Sequence, residues 1–314
     1  MSDSQAVKIS VVSPVYGCAS ALPELVEKLK QTLERITPNY EIILVNDGSP
    51  DNAWELISQF ASEDSRIKGI CLSRNFGQHP AIFCGLAHSK GEAVIVIDCD
   101  LQEDPIYIPA LYEKFLQGYQ VVYTMRRIRR DAWWRGIGAK LFFRVYNYLV
   151  DDHFRRESHQ LGSFSLISRQ VVDELIKLRD CQFHYLLLVK WLGFKSFYLE
   201  IDHKERFYGR SSYTLSKLID HAIVGIVFHS NRLLTLSIYV GVVISIFAFL
   251  LGLVIIVRHL LFGLAPGWPS LFVLNLFSMG IILIFLGVLG LYVGKIFDQV
   301  KGRPIFVIEK KLNI

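Results

Sequence analysis

Two short acidic runs in the first third of the chain have residue types suited to chemistry on phosphate. One is Asn46-Asp47-Gly48-Ser49-Pro50; the other is Asp98-Cys99-Asp100-Leu101-Gln102. Asp98 and Asp100 are two residues apart, so on extended backbone they point the same way while Cys99 turns toward the interior. Carboxylates converging there repel each other unless a cation lies between them. Hard oxygen ligands, with Gln102 beside them, suit Mg²⁺ or Mn²⁺ held jointly by protein and a pyrophosphate. An isolated Asp-x-Asp arises often by chance. At a strand end, with a second acidic turn two strands earlier, it carries more weight.

A third group is basic. Arg126, Arg127, Arg129, Arg130 and Arg135 are interrupted by Trp133 and Trp134. Basic residues beside tryptophans suit an anionic lipid surface. Nucleic acid attracts the same charges, and a solvated charged face is the plain structural alternative. The long apolar runs described below favour lipid over nucleic acid.

The elements that must position these groups alternate in period. Lys8–Pro14, Glu41–Asn46, Ile67–Ser73, Ala93–Asp98 and Gln120–Thr124 read as short strands. Between them, Ala21–Arg35, Asn52–Glu63, His79–Ser89 and Ile106–Gln117 read as helices. Strands apolar on both faces and separated by helices predict an α/β domain with a mostly parallel sheet. Such sheets bind ligands beyond the carboxyl ends of their strands, where both acidic runs fall. Trp133–Val150 and Tyr213–Phe228 have the pattern of amphipathic helices for the bilayer interface. Arg303–Lys311 reads as a further strand that could join the sheet.

The 314-residue chain is 52% hydrophobic, and the apolar excess is concentrated. The 25 residues Leu233–Val257 carry no charge, and neither do Leu271–Gly294. Each run exceeds the roughly 20 residues that span a bilayer core, and buried helices of soluble proteins rarely run so long uncharged. Lys204, Arg206, Arg210, Lys217 and Arg232 precede the first run, and Lys295, Lys301, Arg303, Lys310 and Lys311 follow the second. Positive charge marks the inner side, so both flanks are expected to be cytoplasmic. The polar Met1–Lys8 segment has no signal-peptide pattern. The expected organisation is a catalytic domain over 1–212, including an interfacial helix at about 133–150. A juxtamembrane helix follows over 213–232, then two transmembrane helices over 233–294 (233–257 and 271–294) and a cytoplasmic tail over 295–314. Gly280, Gly287, Gly290 and Gly294 offer close-packing surfaces for a homo-oligomer. The five cysteines are odd in number, widely spaced and free of any Cys-x-x-Cys pair, so reduced thiols are expected.

These residues together resemble the GT-A-fold (Rossmann-like) family 2 glycosyltransferases, specifically the polyprenyl-phosphate glycosyltransferases related to dolichol-phosphate mannose synthase. The resemblance runs over essentially the whole chain. It rests on Val45-Asn46-Asp47-Gly48-Ser49, on Arg74-Asn75-Phe76-Gly77-Gln78 leading to Gly85-Leu86 and Gly91, and on Asp98-Cys99-Asp100-Leu101-Gln102 with Asp104-Pro105. Arg206-Phe207-Tyr208-Gly209-Arg210-Ser211 matches the family's Arg-x-x-Gly-x-Ser element. The resemblance implies that Pro14, Tyr16 and Asp47 line a nucleotide base and ribose pocket. It places Asp98 near ribose and pyrophosphate, with Asp100 and Gln102 on the metal. Arg206 would meet the departing diphosphate, and Ser211 would order the loop that closes over it. Arg126 and Arg130 would guide the lipid phosphate.

Two departures stand out. Many relatives have Gly-Asp-Phe-Arg, its Asp a proposed base, where this chain reads Gly162-Ser163-Phe164-Ser165; a family lysine is also missing at Ser211-Ser212-Tyr213. A sugar hydroxyl acceptor would need that base. A phosphate monoester, with a second pKa of about 6, is already largely dianionic. The expected function is therefore metal-dependent, inverting transfer of a sugar from a nucleotide donor, UDP-linked by preference, to polyprenyl phosphate at the cytoplasmic face of a bacterial inner membrane. The alternatives are a catalytically inactive membrane scaffold and a subunit of a polysaccharide synthase. Two spans are few for a polymer channel, and no Gln-x-x-Arg-Trp motif is present.

Overall fold

In the computed structural model, described for residues 7–126, 161–178, 184–202, 232–262 and 267–314, the strands are apolar on both faces and covered by helices. Residues 7–202 and 303–314 form one compact unit, and residues 232–302 belong to a second.

In the first unit the strands are β1 (Ile9–Val15), β2 (Tyr40–Asn46), β3 (Ile67–Leu72), β4 (Ala93–Val96), β5 (Val121–Arg126), β6 (Leu161–Ser168), β7 (Ser196–Ile201) and β8 (Ile308–Leu312). They form one sheet in the order β7-β5-β6-β4-β1-β2-β3-β8. The block β4-β1-β2-β3 is parallel, and every residue in these four strands is buried. The sheet as a whole is mixed. β6 enters antiparallel between β4 and β5, and β8 is antiparallel to β3 at the edge. The expectation of a mostly parallel sheet therefore holds for its centre. β6 and β7 escape the sequence reading because β6 mixes Ser163, Ser165 and Ser168 with apolar residues, and the edge strand β7 is only half-buried.

Side chains divide by the two-residue period of the strands. Ile9, Val11 and Val15 of β1 pack into one apolar cluster and Val12 into the other. On the first face lie α1 (Leu22–Glu34), α2 (Ala53–Glu63) and α4 (Ile108–Leu116). Helix α1 buries Leu22, Leu25, Val26, Leu29 and Leu33, the spacing of a helix with one apolar stripe. On the other face lie α3 (Gln78–His88), α5 (Arg169–Lys177) and α6 (Tyr185–Trp191). The expected C-terminal strand is present but shorter. It is held by Ser73 N–H to Val307 O (2.9 Å) and by Asn313 Nδ2 to the carbonyls of Ala61 (2.6 Å) and Ile67 (2.9 Å).

The second unit contains α7 (Arg232–Phe262) and α8 (Trp268–Val300), which include the two uncharged runs. Among the described residues, one stretch is long and apolar enough to cross a membrane: Phe277–Val300, with hydropathy 2.3 and none of its most apolar window buried. A soluble core helix would bury such a window. Gly280, Gly287, Gly290 and Gly294 all have open space where a Cβ would stand. The expected amphipathic helices at 133–150 and 213–228 lie outside the described residues, as do Arg127, Arg129, Arg130 and Arg135 with their tryptophans. Arg126 ends β5, its backbone in register with Ile201 of β7.

Candidate functional site

β1, β2 and β4 run parallel and side by side, so their carboxyl ends open at one level. A cleft of about 490 Å³ lies there. Pro14, Val15 and Tyr16 line it from β1, Asp47 from β2, and Asp98, Cys99 and Asp100 from the segment after β4; Asn75, Gly77 and Gln78 contribute from the start of α3. The cleft thus brings together Pro14, Tyr16, Asp47, Asp98 and Asp100 of the expected site. Tyr16 is 55% exposed at its rim, with its ring available for stacking.

Each acidic group is held by local chain geometry. Asp47 is buried and caps the entry to α3, accepting Phe76 N–H at 2.7 Å and Gly77 N–H at 2.9 Å. Burial raises its carboxyl above the ordinary value, while those two N–H groups and the charge of Arg74 pull the other way. Gly48 has φ +63°, and a Cβ there would lie 2.7 Å from Asn75 N. Only glycine lets the 46–49 turn pass so close to the backbone before α3. The same turn steadies the chain after β1. Ser49 Oγ accepts Gly17 N–H at 2.8 Å and donates to Asp51 Oδ1 at 2.5 Å, and Asp51 Oδ2 accepts Ala19 N–H at 2.9 Å. Burial opposes ionisation of Asp51, but these hydrogen bonds and that from Ala53 N–H outweigh it and hold its carboxyl below the usual range. The sequence reading passed over Asp51, although an Asp just before a helix is a recognisable capping signal.

Asp98 accepts from Gln78 Nε2 at 2.7 Å. Leu101, packed against the first apolar cluster, has φ +58°, a left-handed conformation costly for a branched side chain. That bend returns the Gln102 N–H to Asp100 Oδ1 at 3.2 Å. Gln102 itself is 8% exposed and does not line the cleft. Its observed link to Asp100 is through the main chain. Glu103, 3% exposed, packs against β6, where a Cβ on Gly162 would fall 2.1 Å from its Oε1. The glycine of Gly162-Ser163-Phe164-Ser165 therefore lets the acidic loop rest on the sheet. Ser165 is fully buried, its hydroxyl donating to Ser163 O at 2.9 Å and paired with Tyr185 OH at 2.9 Å. Arg206, Ser211, Asp151, Asp152, Glu157 and His159 lie outside the described residues.

The expectation of reduced cysteines is corrected at this cleft: Cys18 and Cys99 are disulfide-bonded, with Cα atoms 6.3 Å apart. Their sequence separation of 81 conceals the pairing. Adjacent parallel strands place the residues beyond β1 beside those beyond β4. Cys71 and Cys84 are buried free thiols.

Among the described residues no group of three or more His, Cys, Asp or Glu side chains converges as a metal cage. The cleft instead has two carboxylates, Asp98 and Asp100. That set fits Mg²⁺ or Mn²⁺, which keep open positions for substrate phosphates and water.

Comparison with known proteins agrees in kind. A model described as glycosyl transferase family 2 matches residues 10–176. An uncharacterized glycosyltransferase of Bacillus subtilis is 34% identical over 313 residues, 99% of this chain and 96% of the relative. An undecaprenyl-phosphate 4-deoxy-4-formamido-L-arabinose transferase of Proteus mirabilis is 33% identical, over 98% of this chain and 94% of its own. A prophage-derived bactoprenol glucosyl transferase of Shigella flexneri is 34% identical, over 97% of this chain and 98% of its own.

Proposed function

The chain belongs to glycosyl transferase family 2 and is a glycosyltransferase, and we propose that it transfers a sugar from a nucleotide donor, UDP-linked by preference, to polyprenyl phosphate. The observation that carries this reading is the meeting of Asp47, Asp98 and Asp100 in one cleft, in a chain alignable almost end to end with undecaprenyl-phosphate and bactoprenol transferases.

Pro14 and Tyr16 pack on the base, and Asp47 accepts a base or ribose donor group while it holds the entry to α3. Asp98 and Asp100 would hold Mg²⁺ or Mn²⁺, with Gln102 behind them; the bound cation supplies positive charge against the diphosphate. Arg206 adds a second positive charge as the leaving group departs. Ser211 orders the closing loop, and Arg126 and Arg130 attract the lipid phosphate. The acceptor dianion attacks the anomeric carbon in line with the departing diphosphate, which inverts the centre. Ser163, where relatives have Asp, is compatible with this acceptor, because a phosphate dianion needs orientation rather than deprotonation.

Membrane attachment follows from connectivity. Residues 303–314 complete the sheet built from residues 9–201, so both flanks of the helical segment lie on one side of any bilayer. A single crossing by Phe277–Val300 would separate them. Arg232–Phe262 therefore crosses as well, making two spans with basic, cytoplasmic flanks at a bacterial inner membrane. The glycines of α8 are the proposed contact face of a homo-oligomer.

The test uses full-length protein in lipid nanodiscs with polyprenyl phosphate, Mn²⁺ and a panel of nucleotide sugars. Labelled lipid carrying one sugar, abolished by EDTA, is the expected product. A long polymer, or no labelling from any donor, overturns the reading.

A further inference from the structure

We propose that Cys18 and Cys99 form a reversible thiol–disulfide site that ties together two walls of the cleft, with low-molecular-weight disulfides and dithiols as its exchange partners. The inference rests on the reading of the cleft as a nucleotide site only where it concerns donor binding.

Position carries the proposal. Cys99 lies between Asp98 and Asp100, and Cys18 lies two residues beyond Tyr16. The disulfide therefore ties the carboxylates directly to the loop that follows β1. Both cysteines line the cleft, yet each is only 8% exposed. A small reagent reaches these sulfurs through the cleft, and a nucleotide seated there covers them. The other described cysteines differ. Cys71 and Cys84 are buried away from the cleft, and burial pushes the Cys84 thiol up to about 12, so neither competes as a ready nucleophile.

Reduction frees one wall of the cleft without undoing the fold. The loop after β1 keeps its hydrogen bonds from Gly17 N–H to Ser49 and from Ala19 N–H to Asp51, but loses its bond to the acidic loop. Gly17, at φ +65° with open space where a Cβ would stand, gives that loop room to move. A donor binding to the reduced protein must order the loop, which weakens affinity. The exchange is balanced. Oxidation joins the two sulfurs, and the two electrons and two protons of the thiols convert one small disulfide into two thiol molecules; a dithiol reverses the step.

The experiment equilibrates full-length protein in nanodiscs with oxidised glutathione or with dithiothreitol. Differential alkylation and mass spectrometry read each cysteine, including Cys181, while calorimetry reads UDP binding with Mn²⁺. The expected results are a Cys18–Cys99 linked peptide that dithiothreitol removes, UDP binding roughly fivefold tighter in the oxidised form, and slower reduction when UDP is present. Cys18→Ser should bind UDP like the reduced protein and ignore both reagents. The two redox states of the natural chain carry the test if that variant fails to fold. Absence of the linked peptide under oxidant, or equal UDP affinity in both states, overturns the proposal. A linked peptide in a protein that binds UDP in neither state overturns the nucleotide reading and the coupling with it, and leaves the exchange site standing.

Discussion

At the amino end of the parallel strands, the carboxylate of Glu41 is 1% exposed and enclosed by donors: the Lys68 ammonium, Ser10 Oγ at 2.5 Å and Lys90 N–H at 2.6 Å. Ser10 in turn accepts Gly91 N–H at 2.8 Å. At the carboxyl end, Asp98 and Asp100 stand half-buried in the wall of a cleft, among glycine turns and a strained leucine. The same chemical group serves opposite purposes on one sheet. Glu41 has its partners inside the fold and holds three strands in register. The two aspartates face a space large enough for a ligand. The difference teaches that a carboxylate's role is read from what surrounds it, because a buried charge must find its compensation within the protein, whereas one at a cleft can find it in a substrate.

The sharpest test of this contrast is Asp100→Ala. Transfer activity should fall on the order of 10³-fold, while the melting temperature stays close to that of the natural chain. A melting temperature that collapses with activity would put Asp100 in the same class as Glu41. Glu41→Gln is the mirror experiment. It leaves the Lys68 charge buried without its counter-ion and should lower stability by about 3–5 kcal/mol, measured by denaturant unfolding. The protein that remains folded should bind UDP normally; weakened UDP binding at full folding would break the separation between the two ends.

Gly48→Ala should do some of both. Its positive φ and the 2.7 Å approach to Asn75 N predict a loss of about 1–3 kcal/mol, together with weaker UDP binding, because the turn also carries Asp47. The smallest effect concerns pH. Asp51 has a folded value below its unfolded one, so its stabilising contribution is present above about pH 4 and is lost as pH falls through the folded value. Asp51→Asn should make the acid limb of the stability curve shallower. Because the side chain is exposed, the loss at neutral pH should stay below about 1 kcal/mol. Asp47 has the opposite sign. Its raised value gives a contribution present at low pH and lost as pH rises through the folded pKa. Thermal melts across pH 3–7 compare the two.

Much of the sheet was legible because its signals are local. The four central strands and the helices among them follow from apolar period and turn residues, and each observed element begins within a few residues of the expected position. β6 escaped because its serines break the apolar run, although Ser165 is fully buried by pairing with Tyr185. Within the site, Asp47, Asp98 and Asp100 were legible from their positions at strand ends. Gln102 looked like a cleft residue by adjacency alone, yet the left-handed turn at Leu101 carries it into the interior.

By itself the sequence determined which strands would form, where their carboxyl ends would bring acidic groups, and that two long uncharged runs follow. These properties depend on neighbours along the chain. Only the tertiary structure decided that Cys18 lies against Cys99, that Glu103 rests on Gly162, and that residues 308–312 return to the edge of β3. Those contacts join segments 59 or more residues apart, and strand order, which brings them together, is set by how the faces of the elements pack rather than by any local pattern.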